Sequence, residues 1–428
     1  MTNTKRKYGL KCLPVLLLFL IFLGACTPAY GIPSETQPAP AGFSEAEQSE
    51  TAKTVAEGTV VQQTAPPAET VEAGEEADAL PKADQSGRYC YELLNGDEQV
   101  WYEDMYAVLS GMETEKNLDE AGIETIGELG IDRIFQCVMN DHPELFFVKG
   151  YTYTLYTYGS QITRISFSGT YTMDAAEREK RETLIAAAVD KCLSYLDKDA
   201  SDYTKVKYVY DYLILNTEYS KQAEDNQNIC SVFIGRQSVC QGYAKATQYL
   251  LEKLGIPATL VIGTVYSGES HAWNLVQLDG EWYYVDTTWG DASYQMTEED
   301  GNLDSGSIPS INYDYLCVTT DQLLKTHTID NIVPLPDCVS MAANYYVQAG
   351  AYFTAYEEAA VAEFFEKGYE TGRSDITLKC ADAEVYNTFL EQLITNQKIF
   401  DYMNSPDGVV AYAEDADKLS LTFWLVNE

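Results

Sequence analysis

The sequence predicts an α+β fold, and three observations carry that prediction. A helix pattern with a defined start and stop, Val239 to Lys253, runs straight into alternating apolar runs that read as strands. Two of those runs meet at Asp279-Gly280, a strong hairpin signal. Towards the C-terminus, helix-like runs at Glu357–Glu366 and Ala383–Thr395 stand apart from strand-like runs at Asp375–Cys380, Gly408–Tyr412 and Leu419–Leu425.

The chain divides by composition. Lys5, Arg6, Lys7 and Lys11 precede an apolar run, Leu13 to Leu23, that is shorter than the ~20 residues a bilayer span needs. Leu23-Gly24-Ala25-Cys26 then reads as a lipobox. Residues 1–25 are therefore expected to be a lipoprotein signal peptide, with Cys26 acylated after cleavage. The alternative is an ordinary signal peptide that leaves Cys26 unmodified. Residues 26–86 are rich in Pro, Ala, Glu, Thr and Ser, and Tyr30 and Phe43 are the only aromatics there. Such a segment buries too little apolar surface to order itself, and its acids repel one another. It is expected to tether the body outside a bacterial cytoplasmic membrane, anchored through Cys26.

The folded part is expected in three portions. In the extension, 87–200, Tyr102–Leu109 and Ile126–Met139 read as helices. Tyr151–Tyr158 and Gln161–Tyr171 read as strands, and Asp174–Leu196 as a long amphipathic helix. The catalytic portion, 201–330, opens with a helix from about Val206 to Tyr219. The helix Val239–Lys253 follows, with Ser238 as its N-cap and Gly255 and Pro257 as its stop. After it come a strand at Thr259–Tyr266, the hairpin, and a polar loop from Gly290 to Ile311. Residues 331–428 form an α+β accessory domain. Tyr345, Tyr346 and Tyr352 there suit either a partner or the core.

The chemistry lies in three short runs. Ser238-Val239-Cys240-Gln241-Gly242-Tyr243-Ala244 puts a thiol in the first turn of a helix. Helix-terminal N–H groups favour a thiolate there and offer donors to an oxyanion. Ser270-His271-Ala272-Trp273-Asn274 supplies a histidine. The chain has only three, His142, His271 and His327, and only His271 follows shortly after a cysteine that opens a helix. Tyr284-Val285-Asp286-Thr287-Thr288-Trp289 supplies an aspartate. With Asp279-Gly280 as the turn, Trp273 faces Asp286 and His271 faces Thr288. His271 and Asp286 are then diagonal neighbours on one face, within reach of each other. A four-residue loop keeps that register, whereas a three-residue loop breaks it. An aspartate so placed fixes the tautomer and steadies the imidazolium.

These runs carry a resemblance. About Asn228 to Asp291 resembles the transglutaminase-like superfamily, whose core is a papain-like thiol fold. The Cys-Gln-Gly-Tyr-Ala, His-Ala-Trp-Asn and Val-Asp-Thr-Thr-Trp runs match in order. The resemblance implies that Cys240 is the nucleophile, His271 the general base and acid, and Asp286 its orienter. It further implies a protein or peptide substrate, attacked at a carboxamide or peptide carbonyl, with a primary amine or water as acceptor. The alternative is a surface adhesion or scaffold lipoprotein that binds peptide or glycan without turnover.

Weaker candidates surround the triad. Trp273 and Trp289 read as acyl-site walls or core. Gln241 and Asn274 read as oxyanion donors or backbone ties. Tyr219 reads as a hydroxyl donor at the helix end, Arg236 as a steering charge or a solvated one, and Cys230 as a redox partner of Cys240 or a buried thiol.

Charge and cysteine count bound the rest. The formal net charge is −38, and losing the four cations of the signal peptide makes it −42. Nucleic acid is excluded as a partner, since phosphate binding needs a basic face. Ten cysteines are scattered without metal-ligand spacing. No metal or organic cofactor is called for, and no Asp/Glu loop of a calcium site is present.

Overall fold

The computed structural model describes residues 84–158, 161–291, 311–405 and 408–425. The predicted signal peptide, Cys26 and nearly all of the tether lie outside the described residues, as does the loop at 292–310. The fold is α+β: helices and strands alternate in blocks rather than as repeated crossovers. Residues 84–343 and 344–425 fall into separate compact units. No helix among the described residues is long and apolar enough to cross a membrane.

After a short helical turn at Tyr89–Glu92, the first unit carries the longer helices α1 (Gly96–Gly111) and α2 (Leu129–Asp141). Asn95 caps α1 reciprocally with Glu98, so the helix starts earlier than its apolar pattern suggests. Strands β1 (Val148–Tyr158) and β2 (Gln161–Tyr171) form an antiparallel ribbon, extended by the short strand Lys116–Asn117. Tyr151 and Phe167 stack at 5.3 Å on its buried face. Helix α3 (Ala175–Leu193) is capped by Asp174, and α4 (Asp202–Asn216) by Ser201. Helix α4 stops at Asn216. The predicted continuation to Tyr219 is a short strand instead, Glu218–Tyr219, parallel to Gln237–Ser238.

Helix α5 (Cys240–Lys253) carries the predicted nucleophile. It packs against a five-stranded antiparallel sheet built from β3 (Ala258–Val265), β4 (Ser270–Leu278), β5 (Glu281–Val285), β6 (Leu316–Val318) and β7 (His327–Ile329), in the order β7-β3-β4-β5-β6. Between β4 and β5, Asp279 and Gly280 both take positive φ, 51° and 84°. That is the two-residue turn whose twist suits a hairpin. Leu278 pairs with Glu281 and Val276 with Tyr283, the register read from the sequence. Trp273, Leu275, Val261 and Tyr284 are fully or almost fully buried and form the core beneath the sheet. The extension braces the far end of α5. Arg88 bonds Glu252 at 2.5 Å, and Gln248 donates to the Asn140 carbonyl at 2.9 Å.

The second unit is a four-stranded sheet flanked by helices. Its central strands, β8 (Asp375–Cys380) and β10 (Ser420–Trp424), pair antiparallel. β9 (Ala411–Asp415) flanks β10, and Tyr352–Phe353 pairs parallel with β8. Its core holds Phe353, Phe365, Phe389 and Phe423. Tyr345 and Tyr346 are buried in this unit, so packing accounts for them.

Candidate active site

Helix α5 starts where it does because the chain before it is tied down. The Val239 N–H donates to the Asn226 carbonyl at 3.2 Å. The Ser238 hydroxyl bonds Ser231 Oγ at 2.7 Å and the same Asn226 carbonyl at 2.9 Å. Ser238 is therefore not the N-cap that the sequence suggests. Val239, in extended conformation, holds that position without a side-chain bond, and Cys240 is the first helical residue. Gly242 is needed in this corner: a Cβ there would lie 2.8 Å from the Asn226 carbonyl oxygen and 2.0 Å from Ser238 Oγ.

The first turn leaves donors for an oxyanion. The N–H groups of Gly242 and Tyr243 both donate to Val239 O, at 3.0 and 3.1 Å. The N–H groups of Cys240 and Gln241 precede the intrahelical ladder. Cys240 is half-buried, whereas Cys90, Cys137, Cys192, Cys230, Cys317, Cys338 and Cys380 are buried, and none of the eight is in a disulfide.

His271, on β4, stands close enough to the Cys240 thiol for the two to interact electrostatically. Its Nε2–H donates to Asp286 Oδ2 at 2.8 Å, which leaves Nδ1 for the thiol. Burial works against a charged imidazole here. The Asp286 charge and hydrogen bond outweigh it and, with the Cys240 contact, lift His271 to about 10. The same balance acts on Asp286. Burial alone would raise its carboxyl, yet the bonds from His271 and His327 hold it well below the usual carboxylate range.

Asp286 is placed differently from the sequence expectation. The strand ends at Val285, so His271 and Thr288 do not pair across a ladder. Asp286 instead caps a short helix, Thr287–Gly290, and its Oδ1 accepts from the N–H groups of Thr288 and Trp289 at 3.0 and 3.1 Å. The cap breaks the strand because Oδ1 satisfies the orphan donors of the helix start. Thr287 then reaches Thr247 on α5 at 2.8 Å, which ties the aspartate turn to the nucleophile helix.

The other candidates sort by their contacts. Asn274 is buried and donates to the Ala244 carbonyl at 3.0 Å and to the Thr259 carbonyl at 3.4 Å, so it joins strand to helix and is not an oxyanion donor. Trp273 is core, its ring stacked 5.9 Å from His271. Trp289 lies 6.1 Å from His271 and packs with Val265 and Tyr315. Tyr219 pairs with Ser238 on the approach to the thiol. Gln241 is half-buried on the first turn, and Arg236 is exposed at the end of the turn Ser231–Gly235. Cys230 faces Arg181 rather than Cys240, and burial pushes its thiol up to about 11.

Sequence reasoning missed His327. Its Nε2–H donates to Asp286 Oδ2 at 3.1 Å, on the oxygen His271 uses. The alternating run Thr326-His327-Thr328-Ile329 is the signal that could have marked it as strand. Donor atoms of His271, Asp286 and His327 lie within 4.8 Å of one another, a spacing open to a divalent cation. In this arrangement both Nε2–H groups are spent on the carboxylate, so the cluster is a hydrogen-bond network.

Comparison with known proteins places the matching region on this site. Residues 191–287 match the family model of the transglutaminase-like superfamily. The kyphoscoliosis peptidase of Mus musculus is 28% identical over 133 residues, 27% of this chain and 20% of the relative. That of Homo sapiens is 30% identical over 121 residues, 24% of this chain and 18% of the relative. The chain thus spans about a fifth of the length of these curated relatives. Among solved structures, a crystal structure of a TGase is 17% identical with a TM-score of 0.26, covering 38% of this chain and 50% of the other.

Proposed function

We propose that this protein is a cell-surface thiol enzyme that acts on carboxamide or peptide bonds through Cys240, His271 and Asp286. The observation that carries the reading is the 2.8 Å bond from His271 to Asp286, with the Cys240 thiol near enough to act on the same imidazole. The match of residues 191–287 to the transglutaminase-like superfamily supports the same reading.

The reaction runs in two halves. His271 takes the Cys240 thiol proton, the sulfur attacks the carbonyl carbon, and the N–H groups at the start of α5 hold the oxyanion. The C–N bond breaks as the His271 imidazolium gives its proton to the leaving amine. A thioester on Cys240 remains. Water or a primary amine then attacks it, His271 takes the incoming proton, and the thiolate leaves. Asp286 keeps the imidazole in one tautomer and steadies its charged form throughout. Hydrolysis and amine transfer share the first half and differ only in acceptor. The lipid anchor at Cys26 is part of this proposal and would hold the site outside the membrane.

The test uses a glutamine-bearing protein and a tagged primary amine, with products read by mass spectrometry beside Cys240→Ala. Amine incorporation lost in the variant establishes transfer. Cysteine-dependent deamidation or cleavage without incorporation establishes hydrolysis. Binding of the substrate protein with no product from either form contradicts the enzyme reading and leaves a binding module.

A further inference from the structure

His327 is fully enclosed, so no substrate touches it: its side chain is 0% exposed. Three aromatic rings fix its plane, Trp289 at 4.8 Å, Trp273 at 4.9 Å and Tyr315 at 5.7 Å. The Thr326 hydroxyl stands 2.8 Å from Nδ1, which suits the tautomer with its proton on Nε2. That proton points at Asp286 Oδ2, 3.1 Å away.

The sheet is shaped to bring this ring in. His327 pairs with Val265 on β3, and His271 pairs with Gly263 on the same strand. Paired residues share a face, and so do residues two apart on a strand, so His327 and His271 lie on one side of the sheet. Gly263 stands between them without a side chain. A Cβ there would lie 1.8 Å from the Thr328 carbonyl oxygen and 2.7 Å from the Trp273 ring. The glycine therefore admits both the close strand and the Trp273 indole, which packs on both imidazoles.

Four donors saturate the carboxylate: two backbone N–H groups on Oδ1 and two imidazoles on Oδ2. Without His327, Oδ2 would keep one donor in a site where the carboxylate is 1% exposed. A buried carboxylate oxygen short of a donor turns to find another, and its bond to His271 suffers.

We propose that His327 is a positioning residue of the thiol site, which holds the Asp286 carboxylate so that Oδ2 meets His271. The inference rests on the triad reading above for its kinetic consequence, and on hydrogen bonding alone for its structural one.

The chain has three histidines, so nitrogen-labelled histidine spectra of the full chain can be assigned with single variants. Wild-type His327 should carry an exchange-protected proton on Nε2. His327→Leu should shift or lose the His271 Nε2–H resonance, and His327→Gln, whose amide can donate from a similar reach, should restore it. In turnover, His327→Leu should lower kcat by about 10- to 100-fold with KM little changed, and His327→Gln should recover most of the loss. A wild-type His327 with no proton on Nε2 overturns the proposal, whether or not the variants fold. So does a folded His327→Leu with the wild-type His271 resonance. Absence of Cys240-dependent turnover in the wild type would count against the enzyme reading, and the spectra would still decide the role of His327.

Discussion

Asn274 donates to the Ala244 carbonyl at 3.0 Å, and this bond fastens the strand of His271 onto helix α5. Asn274 is fully buried, so water cannot replace the bond. Its own Oδ1 has no partner among the described residues, an uncompensated burial that the side chain already carries. Asn274→Ala should therefore cost only ~1–2 kcal/mol, below the upper end for a buried hydrogen bond. Urea unfolding would measure it, and Cys240 alkylation in the same variant should slow as helix and strand loosen.

The corner before Cys240 yields a prediction of opposite sign to helix propensity. Alanine is favoured over glycine by about 1 kcal/mol within a helix. At position 242 the new methyl would meet the Asn226 carbonyl at 2.8 Å and the bonded Ser231 and Ser238 hydroxyls. A backbone carbonyl cannot rotate away, so overpacking wins. Gly242→Ala should destabilise by ~1–3 kcal/mol, read from denaturant midpoints.

The imidazole and carboxylate set the pH profile. His271 is held up at about 10, so its proton is available to the leaving amine until the pH rises through that value. The alkaline limb of kcat/KM should fall near there. Asp286→Asn removes the anion that raises it. The limb should then move down towards the ordinary histidine value, and kcat should drop by about 10³- to 10⁴-fold.

Stability should follow from the same pair. His271 has a raised pKa in the fold, so its contribution is complete below 6.5 and fades as the pH climbs to about 10. Asp286 has a lowered pKa, so its contribution is complete above 3.8 and is lost on acidification. Thermal midpoints should be highest between those two ordinary values and fall on both sides. In Asp286→Asn the profile should be lower and flatter.

Much of this site was legible because its determinants are local. The helix start and the hairpin turn place Cys240 and His271, and the strand count brings Asp286 only to the end of its strand. Asp279 and Gly280 set the register through their positive φ, and the strand pairing follows from them. What stayed hidden is non-local or competitive. His327 reaches the aspartate from a strand added at the sheet edge 41 residues later, and no spacing rule announces that. Asp286 ends its strand because its side chain caps the next helical turn, a choice between two local structures that β-propensity alone decides wrongly. Ser238 looked like a cap, but Asn226 and Ser231 take its hydroxyl.

The most direct test of the thiol site is the rate of Cys240 alkylation by iodoacetamide near neutral pH, read by mass spectrometry on the full chain and on His271→Ala and Asp286→Asn. Cys240 is half-buried and the other seven described cysteines are buried, so exposure alone would favour it. The two variants separate exposure from activation by the imidazole. The account predicts labelling of Cys240 far faster than of the buried cysteines, and its collapse in His271→Ala and Asp286→Asn. Labelling of Cys240 at a rate unchanged in both variants would contradict it.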